Sequence, residues 1–214
     1  MEAVPAKPQT RQSNAVLEFC SFLEERPGLA VLDFAPASQA TVSFVTNYGH
    51  KPYSEDFIDQ LDQSFSPDAM EGASSNPVEN QSNPLLVSRF FSSALNFTEA
   101  SFDGVLVWDA LEHLAPSLVH AVVERLHRIM HPGGYLLAIF HGDVFSIGTG
   151  VTTAPLPTHR YRIQDAQTVQ MIEGQPRPIV QAFNNRTLEK LFKDFDSIKF
   201  FLTRDNLREV IVRR

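Results

Sequence analysis

A doubly wound α/β domain, with a mostly parallel sheet and a C-terminal antiparallel hairpin, is predicted from three features of this sequence. Strand-sized apolar runs at residues 29–34, 102–108 and 135–141 alternate with helix-length amphipathic segments. The segment 116–130 carries Leu118, Val122, Leu126 and Ile129 along one helical face, with Pro116 in its first turn, and Pro132-Gly133-Gly134 stops it before the next strand. Near the end, two β-rich runs, 197–203 and 207–212, flank Arg204-Asp205-Asn206, which reads as a hairpin turn.

The elements between follow the same logic. Residues 15–23 place Val16, Phe19, Cys20 and Leu23 at helical spacing before Pro27-Gly28. The run Leu29 to Phe34 is short, apolar and contains Asp33 near its end, as a buried parallel strand does. A loop of small residues, Ala35-Pro36-Ala37-Ser38, leads to a helix at 39–47, closed by Asn47 and Gly49. Residues 51–53 suit a short second strand, with Glu55 and Asp56 just past its end, and Phe57, Ile58 and Leu61 begin another helical face. Residues 66–84 hold Pro67, Gly72, Pro77 and Pro84 among polar residues and are expected to form a mobile loop. A third strand is expected at 85–91. After His141 the pattern loosens, with short strands at 161–163 and 169–172 and a helix at 187–192. In sheets wound this way, ligands bind at the carboxyl ends of the strands.

The 214-residue length suits one domain, and a 43% hydrophobic, 20% charged composition is that of an ordinary globular chain. The domain is expected to span 15–214, after a disordered tail at 1–14. Acidic residues outnumber basic ones 25 to 18, so no nucleic-acid partner is expected, because phosphate contacts demand a basic face. Cys20 is the only cysteine; it can form no intrachain disulfide or multi-thiolate zinc site, and no metal is expected. A reducing cytoplasm fits. Residues 1–14, with Pro5 and Pro8, hold no apolar export segment, and the longest apolar runs fall far short of the roughly 20 residues a membrane helix needs.

Three segments together resemble class I S-adenosylmethionine-dependent methyltransferases. Val31-Leu32-Asp33-Phe34-Ala35-Pro36-Ala37-Ser38-Gln39 sits where that family places an apolar strand, an acid and a glycine-rich turn. Phe102-Asp103-Gly104-Val105-Leu106-Val107-Trp108-Asp109-Ala110-Leu111-Glu112-His113-Leu114 resembles its fourth-strand signature. The run from Leu126 to Ile139 is similar to the helix, Pro-Gly-Gly turn and fifth strand that follow. The resemblance covers about 29–142. It implies a Rossmann-like sheet, S-adenosylmethionine as cofactor, and methyl transfer to a small or medium-sized acceptor. Residues 143–185 are then expected to cap the acceptor site.

Site residues follow from the same resemblance. Asp33 would organise the cofactor loop. Ala35, Ala37 and Gln39 stand at the family's glycine positions, where a missing Cβ lets the backbone approach the cofactor. Glu55 or Asp56 would accept hydrogen bonds from the ribose diol, with helix-capping acids as the plainer alternative. Asp109 would border the cofactor, and no acid stands at 85–93 to meet the adenine. His113 and His141 are candidate catalytic groups, since an imidazole can take a proton from an oxygen or nitrogen nucleophile; pocket lining is the alternative. Trp108 reads as core. No nucleophile elbow or phosphate loop is present, which speaks against a hydrolase or a nucleotide triphosphatase. The altered loop also leaves open a methyltransferase-like binding or regulatory protein without catalysis. A dinucleotide oxidoreductase is weaker, because the Rossmann glycines are missing too.

Overall fold

The computed structural model describes residues 8–142, 156–203 and 207–214. In chain order the strands are β1 (Gln9–Gln12), β2 (Ala30–Asp33), β3 (Lys51–Ser54), β4 (Phe102–Trp108), β5 (Met130–His141), β6 (Leu156–Ile163), β7 (Thr168–Arg177), β8 (Ser197–Leu202) and β9 (Leu207–Arg213). The helices are α1 (Asn14–Glu24), α2 (Gln39–Asn47), α3 (Phe57–Phe65), α4 (Pro77–Asn80), α5 (Pro84–Ser93), α6 (Pro116–Ile129) and α7 (Asn185–Leu191), with a single 3₁₀ turn at Ala110–His113.

The main sheet runs β3-β2-β4-β5-β9-β8. Its first four strands are parallel, while β9 pairs antiparallel with both β5 and β8. Strand periodicity sorts side chains to the two faces. Leu32, Val105, Val107, Leu136, Ala138 and Phe140 join one core with α3, α5, α6 and α7, whereas Val31, Leu106, Leu137 and Ile139 join another with α1. This is the doubly wound sheet with an antiparallel C-terminal pair that the sequence predicts; the turn at 204–206 lies outside the described residues.

The Pro-Gly-Gly segment has a steric reason. Gly133 has φ +80°, and a Cβ at Gly134 would lie 2.7 Å from the Asp103 carbonyl oxygen, so β5 can approach β4 there only without side chains.

Two expectations are corrected. Residues 85–91 form part of helix α5 rather than a third strand. Asn83 caps this helix by accepting from the Leu85 N–H, Pro84 occupies its first turn, and Leu86 and Phe90 share its buried face at i,i+4. The main sheet therefore ends at β3, and there is no strand end at 85–93 where an adenine-binding acid could have stood. The tail is also shorter than expected. Gln9–Gln12 forms β1, paired antiparallel with β7, and the small sheet β1-β7-β6 results. Glu209, fully buried on β9, anchors this start by pairing with Arg11 at 2.8 Å and accepting from the Ala15 N–H at 3.0 Å. Backbone pairing of polar residues leaves no apolar period to read. Residues 1–7 lie outside the described part.

Residues 66–84, expected to be mobile, contain α4 and a buried anchor. The Asn80 amide donates to the Phe65 and Ser74 carbonyls at 3.0 and 2.9 Å, and its oxygen accepts from the Ser74 N–H at 2.8 Å. Asn80→Ala would orphan these backbone groups. It is expected to lower stability by about 2 kcal/mol in urea unfolding, the scale of lost buried hydrogen bonds; an unchanged midpoint would show that the segment is not anchored there.

Candidate functional site

A cleft of about 240 Å³ opens beyond the carboxyl ends of β2 and β4. Phe34, Ala35 and Pro36 form its floor with Val107, Trp108 and Asp109. Asp56, Ile58, Asp59 and Asp62 from the start of α3 make one wall, and Thr158 to Tyr161 with Gly174, Gln175 and Arg177 of the small sheet make another. The position is the one the strand order dictates for a ligand site.

The floor loop turns without left-handed backbone. Among the described residues, positive φ outside glycine is confined to Leu95, Ala100 and Trp108. Ser38 starts α2 by accepting from the Thr41 N–H, and Gln39, already helical, bonds outward to Ser43. Alanine at 35 and 37 is therefore conformationally tolerated. Ala35 is buried in the cleft floor and Ala37 is exposed.

Asp33 ends β2 with its Oδ1 accepting from the Ala35 N–H at 2.9 Å and from the Trp108 indole N–H at 2.6 Å. The acid thus bonds the loop backbone and holds a tryptophan as well. Burial pushes the Asp33 carboxyl up to about 7 against the lowering effect of those two donors. Trp108 takes φ +57° and stacks on Tyr161 of β6, with centroids 4.9 Å apart and planes 6° from parallel. The Tyr161 hydroxyl donates to Asp109 Oδ2 at 3.0 Å. Burial likewise raises Asp109, to about 6. The small sheet is thereby fastened to the ends of both β2 and β4.

The two acids after β3 part company. Glu55 is buried, and its Oε1 accepts from the Leu95 N–H at 2.8 Å, supporting the left-handed turn after α5; it does not line the cleft. Asp56 does line it, while its Oδ1 caps α3 through the Asp59 N–H.

The 3₁₀ turn after β4 carries the remaining candidates. Glu112 is fully buried; its Oε1 accepts from the His141 backbone N–H at 2.9 Å, and its Oε2 lies 2.6 Å from His141 Nδ1. Burial alone would lower the His141 pKa, yet the Glu112 hydrogen bond and charge, with that of Asp109, raise it. We read the pair as a charge-assisted contact in which imidazolium is favoured. His141 stands behind the cleft rather than on its surface. His113 lines the cleft and is 4% exposed, with Nδ1 3.0 Å from the Pro178 carbonyl. Because a carbonyl only accepts, Nδ1 must carry the proton. Burial pushes this ring down to about 4, so it is neutral near pH 7.

Sequence reasoning missed Tyr161, Arg177 and Asp62; Trp108, read as core, is buried as expected and also lines the cleft. An Arg177–Asp62 ion pair joins the small sheet to α3 across the cleft. These contacts link residues 52 to 115 positions apart, and no local spacing announces them. Among the described residues, no helix is long and apolar enough to cross a membrane, and no cluster of metal-binding side chains stands together.

Residues 50–138 match the family described as "Methyltransferase domain". No curated protein matches the chain. Among solved structures it is similar to a candidate O-methyltransferase from Nostoc punctiforme PCC 73102, with a TM-score of 0.50 at 10% identity over 94% of this chain and 56% of that one. A SAM-dependent methyltransferase from Methanosarcina mazei gives 0.48 at 16% identity, over 91% and 96%. The 1,6-didemethyltoxoflavin-N1-methyltransferase of Burkholderia thailandensis, solved with its substrate and S-adenosylhomocysteine, gives 0.46 at 16% identity, over 94% and 76%. The matched segment runs from β3 through β5 and includes Asp56, Asp109 and His113. Over residues 50–138, less than half of its length, the chain matches a methyltransferase domain.

Proposed function

We propose that this protein transfers a methyl group from S-adenosylmethionine to a small or medium-sized acceptor. The observation that carries this reading is the cleft at the ends of β2 and β4, bordered by the Asp33–Ala35 loop, Asp56 and Asp109. These residues fit the cofactor at one end: Asp56 has a carboxylate oxygen not used in capping that can accept from a ribose diol, and Ala35 presents only a methyl group at the floor. At the other end Trp108 and Tyr161 narrow the space. The cofactor supplies an activated methyl donor when bound. The chain's own task is to orient the acceptor, exclude water and hold charges in place. Asp109, aligned by Tyr161, faces the cleft, and the Glu112–His141 pair fixes the charge behind it. Strands β6 and β7 would act as the cap over the acceptor; residues 143–155 of the expected cap lie outside the described part. We place the protein in a reducing cytoplasm, on the grounds of its lone, buried Cys20.

A binding or regulatory role without catalysis is the second reading, and one observation favours it. Trp108 bonds to Asp33 and stacks on Tyr161, so the chain's own side chains fill part of the floor.

Calorimetric titration with S-adenosylmethionine and S-adenosylhomocysteine separates the two. Methyl transfer requires binding at micromolar cofactor, and Asp56→Ala should then weaken it by about 1.5–3 kcal/mol, the range for hydrogen bonds to a charged group. Absence of binding at millimolar cofactor by folded protein would end the enzymatic reading.

A further inference from the structure

We infer that His113 reads the methyl acceptor: its Nε2 takes a hydrogen bond from the hydroxyl or amino group of a small, flat aromatic molecule held in the cleft. The inference rests on the methyl-transfer reading and adds the chemical class of the acceptor.

The starting point is an unpaired atom. His113 Nε2 is buried and has no hydrogen-bond partner among the described residues. The Pro178 carbonyl holds the proton on Nδ1, and the backbone carbonyl of His113 is taken by the Gln81 amide at 3.3 Å. The ring is thus fixed in place and in tautomer. Its Nε2 can only accept, because the sole ring proton is committed elsewhere. A buried acceptor left unmade is costly, and such a group in a native fold asks for a donor. The low pKa of this ring agrees, since it stays neutral and accepting rather than becoming a second donor.

The surroundings specify the rest of the partner. Phe34, Trp108 and Tyr161, each nearly buried, give the same cleft apolar walls, and such walls with one polar acceptor suit a small planar body with one donor. A cleft of about 240 Å³, one end of which the cofactor would take, limits that body to a small ring system. Arg177 and Asp62 lie close enough for their charges to act on His113, and both line the cleft. Their ion pair is partly exposed, with side chains 22% and 54% accessible, so parting it to admit a ligand to Nε2 costs little. The donor that meets Nε2 is the same kind of group, O–H or N–H, that a methyltransferase alkylates, which places the nucleophile against this wall. No proton transfer to His113 is required for recognition.

The test uses phenol and anisole, two probes of similar shape of which only phenol has a donor. Full-length wild-type protein, His113→Phe and His113→Gln are titrated with each and followed by NMR. Wild type should bind phenol at least roughly fivefold more tightly than anisole, the equivalent of about one net hydrogen bond. His113→Phe should lose the preference, while His113→Gln, whose side-chain carbonyl can accept near the same place, should keep it. Should the Phe variant fail to fold, ring nitrogen shifts of wild-type His113 decide: Nε2 must be bare and must respond to phenol but not to anisole. Failure of phenol to bind, equal binding of both probes, or a preference that survives in the Phe variant would overturn the inference. Cofactor titration without phenol is read separately. Absence of S-adenosylhomocysteine binding with the phenol preference intact would sink methyl transfer and leave the His113 site standing.

Discussion

Replacing Trp108 with alanine is expected to lower stability by about 3–5 kcal/mol, the usual cost of deleting a buried large aromatic. Trp108 is 3% exposed, stacks on Tyr161 and satisfies Asp33, so the variant loses packing, a ring contact and a hydrogen bond together. Trp108→Phe narrows these terms, because it keeps a ring against Tyr161 while removing the N–H and part of the indole's bulk. It should cost about 1–3 kcal/mol, the penalty for a buried group left without its donor. Urea unfolding of both variants at one pH measures the split. A cost below about 1 kcal/mol for the alanine variant would mean that the small sheet is not fastened through this residue.

Cofactor titration of the same variants bears on function. If the indole stands where cofactor must go, Trp108→Ala should bind S-adenosylhomocysteine more tightly than wild type despite its lower stability. If the indole is instead a wall that the cofactor packs against, affinity should fall. The backbone of the 35–39 loop needs no glycine, so the tryptophan rather than the alanines is the point at which the cleft departs most from an open cofactor site.

The sheet was legible because apolar runs and their breakers are local. Residues 102–108, 116–130 and 135–141 carry period, cap and stop signals within their own length, and the structure places β4, α6 and β5 there, with β5 starting earlier at Met130. At 85–91 the apolar run was too short to separate strand from helix by period, and the Asn83-Pro84 start signal points to the helix that forms. Strand β1 was illegible for a different reason. Its Gln9, Thr10, Arg11 and Gln12 gain order from backbone bonds to β7, more than 150 residues away. The site divided along the same line. Asp33, Ala35, Asp56, Asp109 and His113 follow strand ends, a position the sequence exposes, and all but Asp33 line the cleft. Glu55 and Asp56 could not be told apart, since adjacent residues after a strand point differently and only the fold sends Glu55 to Leu95. Tyr161 and Arg177 reach the cleft on a separate sheet, and nothing near them in sequence reports it.

The stability that Asp33 contributes is expected to be lost as the pH is raised from about 4 to 8, while His113, lowered to about 4, acts in the opposite direction up to about pH 6.5. The folded Asp33 pKa of about 7 lies above the ordinary carboxyl value of 3.8, because burial disfavours the charge more than the Ala35 and Trp108 donors favour it. A group raised in this way contributes stability fully below its unfolded pKa and loses it as the pH climbs to the folded one, since the native state binds the extra proton. Asp109, raised to about 6, acts in the same direction. Each pKa unit corresponds to about 1.4 kcal/mol, so Asp33 alone accounts for a loss on the order of 2–4 kcal/mol across this window. Asp33→Asn tests the assignment because the amide oxygen can still accept from both N–H groups without ever ionising. The variant should match wild type near pH 4 and exceed it at pH 8, so that its stability relative to wild type grows with pH across the window. Urea unfolding at several pH values measures this directly. An Asn variant with the wild-type slope, or one that is less stable at pH 8, would show that the Asp33 charge is well accommodated and that the indole bond compensates its burial.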